Sequence, residues 1–102
     1  MKLMNKTLEK ALPKLYATEK VDAADKIIQV HYFNPSGAGN WYAVEYSPED
    51  RLFFGYVSIF GDECDEWGYF SLDELEGYKP KFGLPIERDL YWKPIPFSQL
   101  KR

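Results

Sequence analysis

Hydrophobic and polar positions change period several times along the chain, and each change marks an element. In "NKTLEKALPKLY", Leu8, Leu12 and Leu15 recur at helical spacing, so one stripe of a short helix can rest on a core. Asn5 or Thr7 is placed to cap its start, and Pro13 bends or ends it. "KIIQVHYFN" is rich in β-branched and aromatic residues and predicts a first strand. "PSGAGN" predicts a loop, "WYAVEYS" a second strand, "PED" a turn and "RLFFGYVSIF" a third strand. The third run is apolar on both faces, which predicts a central place in a sheet. "GDECDE" is the next turn and "WGYFS" a fourth, shorter strand. Connections this short favour an antiparallel meander, because parallel neighbours need long crossovers.

"SLDELEGY" predicts a second helix over residues 71 to 77. Ser71 and Glu74 fit a capping box, in which each side chain accepts the other residue's backbone N–H. Leu72 and Leu75 then face the core, and Gly77 ends the helix. The last quarter holds Pro80, Pro85, Pro94 and Pro96 and predicts an ordered, irregular wrap. A short strand is expected near "ERDLYW", with Leu84, Ile86 and Leu90 as core contacts. The expected fold class is α+β: a single domain over residues 1–102, built on an antiparallel meander sheet of four to five strands. Two short helices lie on one face, and the Pro-rich C-terminal wrap closes an edge.

A chain of 102 residues has room for one core without staples. Aromatics reach 18%, with 3 Trp, 8 Tyr and 7 Phe, so a few large side chains fill that core and some reach the surface. The formal net charge of -3 carries no electrostatic footprint for nucleic acid, and it is too mild for a DNA mimic. Lys79, Lys81, Lys93, Lys101 and Arg102 form the one basic grouping. A single cysteine, Cys64, excludes an intrachain disulfide. Charges interrupt the first twenty residues every few positions, and no apolar run approaches the ~18 residues of a membrane span. The expected location is the cytoplasm.

Candidate chemistry is sparse. Asp62, Glu63, Asp65 and Glu66 flank Cys64 and oppose its thiolate, and His31 reaches it only through folding. The same acidic run lacks the spacing of a calcium loop, and a zinc site lacks its ligands. "SGAG" does not lead into a helix, so it reads as a hairpin loop and not as a phosphate cradle. No cofactor or metal is expected. Strict alternation puts Glu45 with Trp41 and Ala43 on one side of its strand, and Tyr42, Val44 and Tyr46 on the other. A carboxylate beside an indole suits acid–base hydrolysis, although the signal has little specificity. In "GLPIERDLYW", an extended chain puts Glu87 and Asp89 on one face and Arg88 on the other. Arg88 can then be an outward anchor for a carboxylate or phosphate, flanked by Tyr91 and Trp92. Alternatively it pairs with an acidic residue across the sheet and pins the wrap to the body, which is the reading we favour.

Five pieces, "LPKLYATE", "WYAVEY", "FFGYV", "GYFSLDELE" and "GLPIERDLYW", together resemble the bacterial domain-of-unknown-function family 2958. The resemblance covers nearly the whole chain, and "DECDEW" stands outside it. It implies a place on plasmids and other mobile elements, among antirestriction and DNA-modification genes, and it implies no activity, catalytic residue or cofactor. Tyr and Trp dominate binding hot spots. The expected function is therefore a non-enzymatic protein-interaction module of a mobile genetic element, binding and inhibiting a host restriction or CRISPR nuclease. An aromatic patch of Tyr42, Tyr46, Tyr91 and Trp92, with Arg88, would dock on a basic, nucleic-acid-binding surface of that protein. Asp62, Glu63, Asp65 and Glu66 would form an acidic rim. Direct contact with nucleic acid or membrane is not expected, and the chain is expected to be a monomer or weak dimer. The alternatives are a nucleic-acid-associated accessory protein that stacks single strands, or a small carboxylate-dependent hydrolase using Glu45, Glu87 or Asp89.

Overall fold

The structure, a computed structural model, describes residues 2–59 and 65–101. Helix α1 spans Lys6–Ala11, and the cap it uses is Asn5, whose Oδ1 accepts the Leu8 N–H at 2.9 Å. Leu12, just past its end, is buried against the sheet. Strands follow as β1 (Ile27–Ile28), β2 (Val30–Phe33), β3 (Asn40–Ser47), β4 (Leu52–Ser58) and β5 (Glu66–Ser71). Helix α2 covers Leu72–Gly77, and the wrap contributes β6 (Glu87–Arg88) and β7 (Ile95–Pro96). The capping residue of α2 is Ser71, whose Oγ accepts the Glu74 N–H at 3.2 Å, and Leu72 and Leu75 are buried.

The main sheet is antiparallel, five-stranded and ordered β5-β4-β3-β2-β6, so the fold is the expected α+β meander. Its middle strand is β3; β4 is interior, bonded on both sides, as two apolar faces require. The expected first strand is divided. Ile27 and Ile28 leave the main sheet to pair with Ile95 and Pro96 of the returning tail, and pairing with β3 begins at Val30.

Two cores result, one on each face of the sheet. On the helix face, Leu12, Tyr32, Ala43, Tyr46, Phe53, Phe70, Leu72 and Leu75 pack together, with α1 and α2 over them. On the opposite face, Ile28, Tyr42, Val44 and Tyr56 are covered by Trp67, Trp92, Phe97 and Leu100. Strict alternation along β3 fails between these cores. The ladder with β4 runs Ala43 to Gly55 and then Glu45 to Phe54, leaving Val44 as the extra residue of a β-bulge. Tyr46 therefore turns to the helix face with Trp41 and Ala43. Glu45 lies across from Phe54, whose ring stacks on Trp67, and so joins Tyr42 and Val44 on the tail face.

The wrap does more than close an edge. β6 pairs with β2, and the Asp89 N–H donates to the His31 carbonyl at 2.9 Å. The Phe97 N–H then donates to the Lys26 carbonyl at 2.8 Å, and the Phe97 ring sits 4.8 Å from both Tyr56 and Trp67. No helix among the described residues is long and apolar enough to cross a membrane.

Candidate functional site

Three constellations among the described residues bear on function, and the first is the clasp of the wrap. His31 stacks on Tyr42, with ring centres 4.7 Å apart and an interplanar angle of 8°. Its Nδ1 faces Asp89 Oδ2 at 3.1 Å and its Nε2 faces Asn40 Oδ1 at 2.8 Å. Asp89 Oδ1 accepts the Tyr91 N–H at 3.0 Å, which shapes the turn that follows. Trp92 turns inward: its Nε1–H donates to the Ile28 carbonyl at 3.0 Å, and its ring lies 5.2 Å from His31. A cavity of about 550 Å³ opens beside His31, Asn40, Ser58 and Asp89. Both imidazole nitrogens have partners within the chain, so the arrangement works as a brace between β2, β3 and the wrap. Burial pushes the Tyr42 phenol above its usual range, and the charges of Asp65 and Asp89 add to this.

The second constellation surrounds Glu45, which is buried at 3% exposure. Its Oε1 accepts the Tyr16 N–H at 2.8 Å; its Oε2 accepts the Thr18 N–H at 2.9 Å and also the Thr18 hydroxyl. Lys26, buried as well, donates from Nζ to the Thr18 carbonyl and to its hydroxyl, the latter at 3.1 Å. The Lys26 ammonium lies 5.9 Å from the centre of the Phe54 ring. Two opposite charges are thus taken out of water and joined through one threonine, which binds the 13–26 segment to β3. Tyr16 adopts φ 70° to reach this position, a left-handed conformation that costs a residue with a Cβ roughly 1 kcal/mol. The hydrogen bond between the Tyr16 and Tyr69 phenols raises that of Tyr69. The Glu45 carboxylate is filled by donors of its own chain. It is a structural hub and does not stand beside Trp41.

The third is a stretch of chain that carries exposed apolar side chains. Nine large hydrophobic side chains stand exposed among the described residues, and five of them, Tyr78, Phe82, Leu84, Leu90 and Tyr91, fall between residues 78 and 91. Phe82 is 84% exposed and Tyr91 93%. The loop bearing Phe82 and Leu84 is held: Ser36 Oγ accepts the Leu84 N–H and donates to the Leu84 carbonyl at 3.3 Å. Gly83 makes that contact possible. It has φ 110°, and a Cβ there would lie 2.7 Å from the Ser36 Cβ.

The expected contact residues are distributed differently. Tyr42 and Tyr46 are 8% and 3% exposed, because the two cores claim both rings, so neither is available to a partner. Trp92 is a half-buried peg of the tail face and Tyr91 is the exposed neighbour. Arg88 is half-buried across from Tyr32, on the helix face, and is not an outward anchor. The wrap is clasped to the body by Asp89 with His31, a pair that the sequence reading did not name. Of Leu84, Ile86 and Leu90, only Ile86 reaches the core. Asp65 accepts from the Ser58 hydroxyl at 2.8 Å, and Glu66 is exposed at the start of β5. Asp62, Glu63 and Cys64 lie outside the described residues. Among the described residues, no group of three or more His, Cys, Asp and Glu side chains could hold a metal ion.

Sequence reasoning missed the Thr18–Lys26 link and the exposure of Phe82 and Leu84. The Gly83–Pro85 pair was the available signal for the latter, since it marks a turn in which flanking apolar residues need not point inward. No curated protein and no solved structure matches the chain. A family model described as a protein of unknown function, DUF2958, matches residues 3–99. That match takes in both cores apart from Leu100, the clasp and the exposed stretch, and the chain belongs to the DUF2958 family.

Proposed function

We propose that this chain is a non-enzymatic interaction module that presents the exposed apolar surface of its C-terminal wrap to another protein. The carrying observation is the concentration of Tyr78, Phe82, Leu84, Leu90 and Tyr91 on one stretch of chain that is tied to the body. Exposed apolar side chains gathered on one held segment suit association with another protein, and binding to a pre-ordered segment loses less conformational entropy than binding to a loose one. Occupied donors and acceptors at His31 and Glu45 leave little support for a reaction at either. The finer reading is a mobile-element protein that blocks a host restriction or CRISPR nuclease sterically; its support is the gene company that the family resemblance implies.

The test is capture from a lysate of a bacterial host carrying defence systems, at physiological salt, with Phe82→Ser/Leu84→Ser run beside the native chain. Retention of one protein in stoichiometric amount by the native chain, and its loss in the folded double variant, is expected. Addition of the purified chain should then inhibit that protein if it is a nuclease. Equal capture by both chains, or no specific capture, contradicts the proposal for that host.

A further inference from the structure

On the helix face, a cavity of about 300 Å³ lies between α2, the end of β5 and the loop after β2. That volume is at the lower end of the range for ligand sites, and it suits one long side chain better than a whole metabolite. Trp41, Phe70, Leu75, Tyr78 and Ile86 supply apolar and aromatic walls, and Glu74 is the one carboxylate among the lining residues. The rings of Trp41 and Tyr78 stack on no other ring among the described residues, whereas Phe70 is stacked on Phe53 at 4.9 Å. Gly39 lets the indole take its place beneath the loop: its φ is 136°, and a Cβ there would lie 2.9 Å from the indole edge.

Glu74 is the acid of α2 that has no cation. Arg51 bonds Asp73 through Nε at 2.6 Å and Glu76 through Nη2, whereas the Glu74 carboxylate has no ion pair among the described residues. A half-buried indole and an exposed phenol, neither stacked on another ring, beside an unpaired carboxylate favour a cation with an apolar stem. We propose that this cavity takes the side chain of a lysine or arginine from a protein partner. The proposal rests on the interaction reading above and names part of its chemistry. Tyr78 and Ile86 bracket the segment that carries Phe82 and Leu84, and Ser36, which holds Leu84, belongs to the loop whose Asn34 and Ala38 also line the cavity. A protein resting on the apolar loop would therefore lie at the cavity mouth.

The test needs no partner protein. Isotopically labelled protein is titrated with the N-acetyl methylamides of arginine and lysine, and with that of citrulline as the uncharged match for arginine. The Trp41 indole N–H and the Glu74 amide are followed by NMR. Saturable shifts with at least one cation and none with citrulline are expected. Glu74→Gln should weaken the response about fivefold, the loss of one exposed charge contact. Equal shifts with citrulline, absence of a saturable shift, or an undiminished response in Glu74→Gln would overturn the inference. Tyr78→Ser is a second variant should Glu74→Gln disturb α2. Failure here leaves the interaction reading to its own capture test, where Phe82 and Leu84 are changed and Glu74 is not.

Discussion

On the helix face, Phe53 has no exposed surface, and the ring centres of Tyr46, Phe70 and Tyr32 lie 4.6, 4.9 and 5.5 Å from it. On the tail face, Tyr42 and Val44 are covered by a chain that returns from the far end of the sequence and is fixed by separate bonds: Asp89 to His31, Trp92 to Ile28, Phe97 to Lys26. The first face is stabilised by contact area spread over many residues. The second adds to a smaller apolar core a few polar contacts that hold the returning chain, and that same chain carries the exposed rings. A face built by contact area loses stability in proportion to the volume removed. A face built by bonds loses it in steps, each set by the donors or acceptors left stranded.

The largest effect should come from the helix face. Phe53→Ala is expected to cost about 4 kcal/mol, because the ring is fully buried and its aromatic neighbours cannot close the gap. Urea denaturation should show a lower midpoint at unchanged slope. On the tail face, Glu45→Ala is expected to cost about 3 kcal/mol, despite removing far less apolar surface. It strands the Tyr16 and Thr18 N–H groups and leaves Lys26 without the carboxylate that Thr18 relays to it. If Glu45→Ala cost under half a kilocalorie, the contrast between the faces would fail.

Alkaline pH acts on both faces. Burial raises the Tyr32 and Tyr42 phenols above the ordinary value of 10.0. Between the unfolded and the folded value the unfolded chain holds fewer protons, so stability falls as pH rises above about 10 and is unaffected by these groups below it. For Tyr32 the slope should approach 1.4 kcal/mol per pH unit, read from urea midpoints between pH 8 and 11. A flat profile through pH 11 would contradict the burial of these phenols. The smallest effect belongs to the surface itself: Phe82→Ser/Leu84→Ser should shift stability by less than about 0.5 kcal/mol, since both side chains are exposed. A larger loss would mean that these residues are part of the core and unsuited to a partner.

Elements specified by near neighbours were legible in the sequence. Ser71 caps α2 from three residues away, Asn5 caps α1 at the same distance, and the short β2–β5 connections forced a meander. The alternation of Glu87, Arg88 and Asp89 was legible too, since Arg88 pairs across from Tyr32 and Glu87 from Phe33. Their partners were not, because register decides which side chain each meets. A single bulge at Val44 reversed the facing of Glu45 and Tyr46, and nothing in "WYAVEYS" announces it. The Trp41–Glu74–Tyr78 cavity joins residues of β3 to α2 and its exit, which only the folded topology brings together. Apolar identity alone did not separate Ile86, which is buried, from Leu84 and Leu90, which are not.

The proposed binding surface must exist before any partner arrives, and amide hydrogen exchange of the isolated chain tests this directly. The Asp89 and Phe97 amides, bonded to the His31 and Lys26 carbonyls, should exchange at least about a hundredfold more slowly than in a free peptide. Exchange of both at free-peptide rates, with the amides of β3 and β4 still protected, would show that the wrap is loose in solution and would contradict the account of a pre-formed binding surface.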